Sequence, residues 1–91
     1  MTLQMLQEAV ERKLIESGLK VYFIAFEFDD GNPYFAYTFD KDLLIEAKED
    51  WEQGILSENC YDDYTFEEDF ESQVKDICFI IKDKYFEENA K

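Results

Sequence analysis

The side chains that most often move protons or attack electrophiles are scarce in this chain, while carboxylates are abundant. It contains no histidine, two cysteines, and 23 acidic residues against nine Lys and Arg. Without imidazole there is no ready general base near neutral pH. The hydroxyls are those of Thr2, Ser17, Thr38, Ser57, Thr65 and Ser72. Thr2 and Thr65 sit where helices should begin, so capping accounts for them, and no motif supplies any hydroxyl with a partner base. Carboxylate pairs can hydrolyse glycosides, but among 23 acids such pairs arise everywhere. Cys60 and Cys78, with no histidine, make no zinc set. Asp29-Asp30-Gly31-Asn32 and Asp62-Asp63 are too short for an EF-hand loop. Gly18, Gly31 and Gly54 stand apart, so no glycine-rich loop cradles a phosphate. The expectation is a protein that is not an enzyme and uses no cofactor or metal.

The informative feature is where the charge sits. Between Asp40 and Glu71, 13 acids face two lysines, a net −11 within a chain of net −14. Residues 1–39 carry −3, and residues 72–91 are neutral. A field that local is suited to meeting a positive surface. Acids at a helix start favour its dipole, which accounts for Glu67, Glu68, Asp69 and Glu71. It does not account for Asp42, Glu46, Glu49 and Asp50, or for Glu58, Asp62 and Asp63. Like charges at helical spacing, as at Asp42–Glu46 and Glu46–Glu49, are mildly destabilising. The expected partner-binding residues are therefore Asp42, Glu46, Glu49, Asp50, Glu58, Asp62, Asp63, Glu67 and Glu68, with Tyr61 and Tyr64 as aromatic anchors. Tyr34 is a further amphipathic candidate beside them. Cys60-Tyr61-Asp62-Asp63-Tyr64 is the expected recognition loop.

These residues need elements to carry them. Leu3, Leu6, Val10 and Leu14 form one helical stripe, which predicts a helix over 2–17 with Thr2 as its cap and Gly18 ending it. Lys20–Phe28 and Tyr34–Phe39 are β-branched and aromatic, and Asp29-Asp30-Gly31-Asn32 between them is a turn. Alternation places Tyr22, Ile24, Phe26 and Phe28 on one face, and Val21, Phe23 and Ala25 on the other. Asp40 should cap a helix over 41–54 with Leu44, Ala47 and Trp51 inward. Ile55–Tyr64 reads as an irregular connection. Phe66, Phe70, Val74, Ile77, Ile81 and Tyr85 predict a long helix over 66–87, with Thr65 and Glu68 as a capping box. The expected architecture is a small single α+β domain over 1–91, in the order α-β-β-α-α, with an antiparallel hairpin packed against helices. No internal repeat is apparent. An isolated hairpin is marginal, so it must pack on helices or pair with a second chain through its open edge.

An 18% aromatic content distinguishes the chain from acidic disordered tails. No run is apolar enough to span a membrane, and no basic segment followed by an apolar core marks a signal peptide. A cytoplasmic protein with free thiols is expected, monomer or homodimer, without direct contact with nucleic acid or membrane. Proteins with exposed basic grooves mostly handle nucleic acid. Size and charge together predict a stoichiometric inhibitor that occludes such a groove by DNA-mimic-like docking. A phage anti-defence protein such as an anti-CRISPR fits first. The alternatives are an immunity protein or antitoxin covering a basic toxin nuclease, and a non-catalytic acidic regulatory domain.

Overall fold

The computed structural model describes residues 2–89, in the order α1 (Leu3–Glu16), β1 (Tyr22–Asp29), β2 (Asn32–Thr38), α2 (Lys41–Glu52), β3 (Tyr61–Tyr64) and α3 (Phe70–Asn89). The α+β class and the central hairpin stand as expected, and a third strand is added. The chain divides into two compact units. One is Val21–Tyr64, which holds the sheet and α2. The other holds α1 and α3.

In the sheet unit, the three strands run antiparallel in the order β1-β2-β3. Asp29 pairs with Asn32, which leaves a two-residue turn. Asp30 and Gly31 both adopt positive φ, 52° and 85°, as a turn matching strand twist requires. Gly31 takes this conformation without penalty, whereas a Cβ there would be strained whatever the space around it.

The expected face alternation breaks inside β1. Phe23 pairs with Tyr37 and Ala25 with Ala36, so a β-bulge falls at Ile24. One inserted residue reverses the parity of all that follow. Phe26 thereby joins Phe23, with ring centroids 5.3 Å apart, rather than Ile24. Phe26, Phe35 and Tyr37 continue this aromatic row at 6.1 and 5.8 Å. Ile24 and Ala36 lie on the opposite side, where they cluster with Ala47 and Cys60 against Ala25, Leu44 and Trp51. That is the face α2 covers.

The Asp40 carboxylate accepts from the Asp42 N–H at 2.9 Å and caps α2 as expected.

In the helical unit, Leu6, Val10 and Leu14 of α1 are fully buried, as are Ile77 and Ile81 of α3. Thr2 caps α1 by accepting from the Met5 N–H. The expected capping box at Thr65 and Glu68 does not form. α3 begins later, where the Asp69 carboxylate accepts from the Ser72 N–H at 3.0 Å. Thr65 is instead wholly buried, and its hydroxyl donates to Asp76 at 2.7 Å. The Gln73 side-chain amide donates to the Glu67 carbonyl at 2.9 Å. These two bonds tie residues 65–69 to α3 as an extended approach, and leave Phe66 outside the helix and 72% exposed. Among the described residues, no helix is long and apolar enough to cross a membrane.

Candidate functional site

Nine of the eleven expected partner-binding residues fall within the sheet unit; Glu67 and Glu68 belong to the helical unit. The sheet unit carries twelve acids against two lysines, a net −10 of the chain's −14. Asp42, Glu46 and Glu49 are exposed along α2, and Asp50 is half-buried at its inner edge. A helix rises about 1.5 Å per residue, so this row advances by about 4.5–6 Å per carboxylate. Glu58 is exposed in the connection that follows. Lys41 and Lys48 form no ion pair with any of these acids among the described residues.

The stretch expected to be one recognition loop is β3, and its strand geometry divides its side chains. Tyr61 pairs with Tyr37 and Asp63 with Phe35 on the aromatic-row face. The Tyr61 ring lies 5.7 Å from Tyr37 and 5.8 Å from Phe39. Asp62 and Tyr64 project to the α2 side, opposite Ala36 and Tyr34. Sequence adjacency therefore does not make one epitope of these four residues.

On the α2 side a second cluster assembles that adjacency could not reveal. Tyr34 stacks on Trp51 at 5.9 Å and meets Tyr64 at 5.0 Å. The Tyr34 hydroxyl donates to Asp62 at 2.9 Å, and the Tyr64 hydroxyl donates to Asp29 at 2.9 Å. All three rings are half-exposed, and both carboxylates are exposed. A rigid aromatic platform with carboxylates at its edge is suited to stacking and ion-pairing with guanidinium groups. Asp29 and Trp51 are the members sequence reading missed, one taken for a turn residue and the other for core. Only the pairing register brings them to Tyr64 and Tyr34.

No match to this chain was found among protein-family models, curated proteins or solved structures. The reading of the site therefore rests on its own chemistry. No group of three or more metal-ligating side chains gathers among the described residues. Both thiols are buried and unpaired as a disulfide. Burial raises the Cys60 and Cys78 thiols above their ordinary value, which opposes nucleophilic use.

Three tyrosines of the sheet unit carry a testable signature. Burial, then the bond to Asp62, pushes the Tyr34 hydroxyl well above its usual range. The bond to Asp29 raises Tyr64, and burial raises Tyr37. All three are protonated in the folded chain at a pH where an unfolded tyrosine, near 10, already ionises. Their contribution to stability is thus complete below about pH 10 and lost as pH rises above it. Denaturation midpoints measured from pH 8 to 12 should fall steeply above 10. Tyr34→Phe should flatten that fall, since phenylalanine has no proton to release. An equal slope in both proteins would contradict the assignment.

Proposed function

We propose that this protein is a stoichiometric inhibitor that docks its acidic sheet unit onto the basic, nucleic-acid-binding surface of another protein. The observation that carries the reading is the segregation of charge: net −10 on one 44-residue unit, with carboxylates exposed along α2 and at the sheet edge beside the Tyr34–Trp51–Tyr64 platform. Exposed like charges cost stability where they stand, and a cationic partner relieves that cost. DNA presents one charge per roughly 3.4 Å along each strand. The exposed carboxylates of α2, about 4.5–6 Å apart along the helix axis, offer a similar row at wider spacing on a folded support. A groove that binds DNA or guide RNA, as in a phage-targeted defence nuclease, or the cleft of a toxin nuclease, offers the matching positive surface. Direct binding to nucleic acid is not expected, because like charges repel.

The test is capture from host lysate at low and moderate salt, followed by kinetics with the captured protein. Attraction should weaken as the Debye length shortens from about 30 Å at 0.01 M to about 8 Å at 0.15 M. Glu46→Lys, Glu49→Lys and Asp50→Lys together should slow association by about tenfold or more, with the circular dichroism spectrum unchanged. The captured protein should lose nucleic-acid binding at a 1:1 ratio. Association indifferent to both salt and reversal, but lost in Tyr34→Ala and Tyr64→Ala, would replace electrostatic mimicry with docking on the aromatic platform.

A further inference from the structure

The outward face of α3 repeats, residue for residue, a charge pattern found on α2. Around Phe79 stand Lys75, Asp76, Lys82 and Asp83. Around Ile45 stand Lys41, Asp42, Lys48 and Glu49. In both helices the central apolar residue is 70% exposed. The offsets −4, −3, +3 and +4 surround the central residue on one helical face. The signs run plus, minus, plus, minus. Such an order is antisymmetric about its centre.

Antisymmetry has a geometric consequence. When two copies of α3 lie antiparallel about a two-fold axis at Phe79, offset +k of one faces offset −k of the other. Lys75 then meets Asp83 of the second copy, and Asp76 meets Lys82 of the second copy. All four cross-pairs, two of each kind, are opposite in sign, whereas a parallel arrangement would oppose like charges. A two-fold interface requires this kind of self-complementarity.

The surroundings of Phe79 fit the same reading. Its ring stands as a ridge between two shallow depressions. One of about 200 Å³ is bounded by Lys13, Lys75, Cys78 and Lys82. The other, of about 370 Å³, is bounded by Glu67, Ser72, Lys75 and Asp76. Ridges entering grooves are how helices pack. Lys75 and Lys82 form no ion pair among the described residues, despite 23 acids in the chain. α2 is the poorer candidate, since it belongs to the unit of net −10 and would bring two such fields together. α3 belongs to a unit of net −4.

We infer that the Phe79 face of α3 is a homodimerisation surface, occupied by the same face of a second copy running antiparallel. One helical stripe on each side makes a small interface, below the area of obligate dimers, so the association is reversible and concentration-dependent. It does not depend on the proposed inhibitory role.

Sedimentation equilibrium of the full chain tests it. The wild type should show a monomer–dimer equilibrium, and Phe79→Asp should be monomeric. Lys75→Asp and Asp83→Lys should each weaken dimerisation by about tenfold, because symmetry turns two attractive pairs repulsive at once. The double variant K75D/D83K restores opposite signs across the interface and should recover wild-type dimerisation. Recovery of dimerisation by the double variant also excludes misfolding as the cause of the single losses. A strictly monomeric wild type, a double variant no better than the singles, or loss of the dimer on Lys41→Asp or Glu49→Lys in α2 would each overturn the assignment.

Discussion

Phe35→Ala should cost about 3–5 kcal/mol, the range for truncating a buried aromatic. Phe35 is fully buried on the central strand of the sheet, with stacked contacts to Phe26 at 6.1 Å and Tyr37 at 5.8 Å. β2 is hydrogen-bonded on both sides, so its backbone cannot collapse into the space the ring vacates, and the cavity term stays close to its full value. At roughly 0.05–0.15 kcal/mol per residue, a chain of 91 residues holds about 5–14 kcal/mol, so the loss is a large fraction of the total. Urea denaturation should show a markedly lower midpoint with an unchanged slope. Phe35→Leu keeps most of the volume and should lose less than about 1.5 kcal/mol. Equal losses in the two variants would mean that ring geometry, and not buried volume, sets the cost.

Thr65→Val should destabilise the helical unit by about 1.5–3 kcal/mol, the usual worth of a hydrogen bond to a charged group. The valine fits the space of a threonine that is fully buried, but it cannot donate to Asp76, whose bond to Thr65 is 2.7 Å long. The half-buried carboxylate then loses its partner. The threonine oxygen also accepts from the Glu67 N–H at 3.4 Å, so residues 65–69 lose their anchor to α3. Amide hydrogen exchange should show earlier opening at Glu67 and over the first turn of α3, with the sheet unit slower to change. Thr65→Ser retains the donor and should recover most of the loss. Uniform acceleration across the chain would place Thr65 in a global unfolding unit instead.

The two variants probe cores that sit apart from the charge. Core residues of both units are uncharged, and the acidic side chains of α2 are exposed except Asp50, which is half-buried. Exposed substitutions away from caps and packed contacts usually change stability by less than about 0.5 kcal/mol. Charge reversals at Glu46 and Glu49 can therefore be read as effects on binding.

What the sequence determined by itself is local. The apolar stripe of α1, the Asp30-Gly31 turn, the Asp40 cap and the concentration of carboxylates all depend on residues within a turn or two of one another. Periodicity and turn chemistry suffice to place them. The tertiary structure decided what depends on register and competition. The bulge at Ile24 shifts Phe26 to the other face, and no composition signal marks it. β3 is a short strand of Tyr and Asp whose formation rests on the open edge of β2, so it read as a connection. Asp69, not Thr65, caps α3, and the Thr65 hydroxyl donates to Asp76, eleven residues away along the chain. For the same reason Asp29 and Trp51 joined Tyr34 and Tyr64: strand pairing and the packing of α2 bring together residues that are remote along the chain, and linear distance carries no trace of that contact.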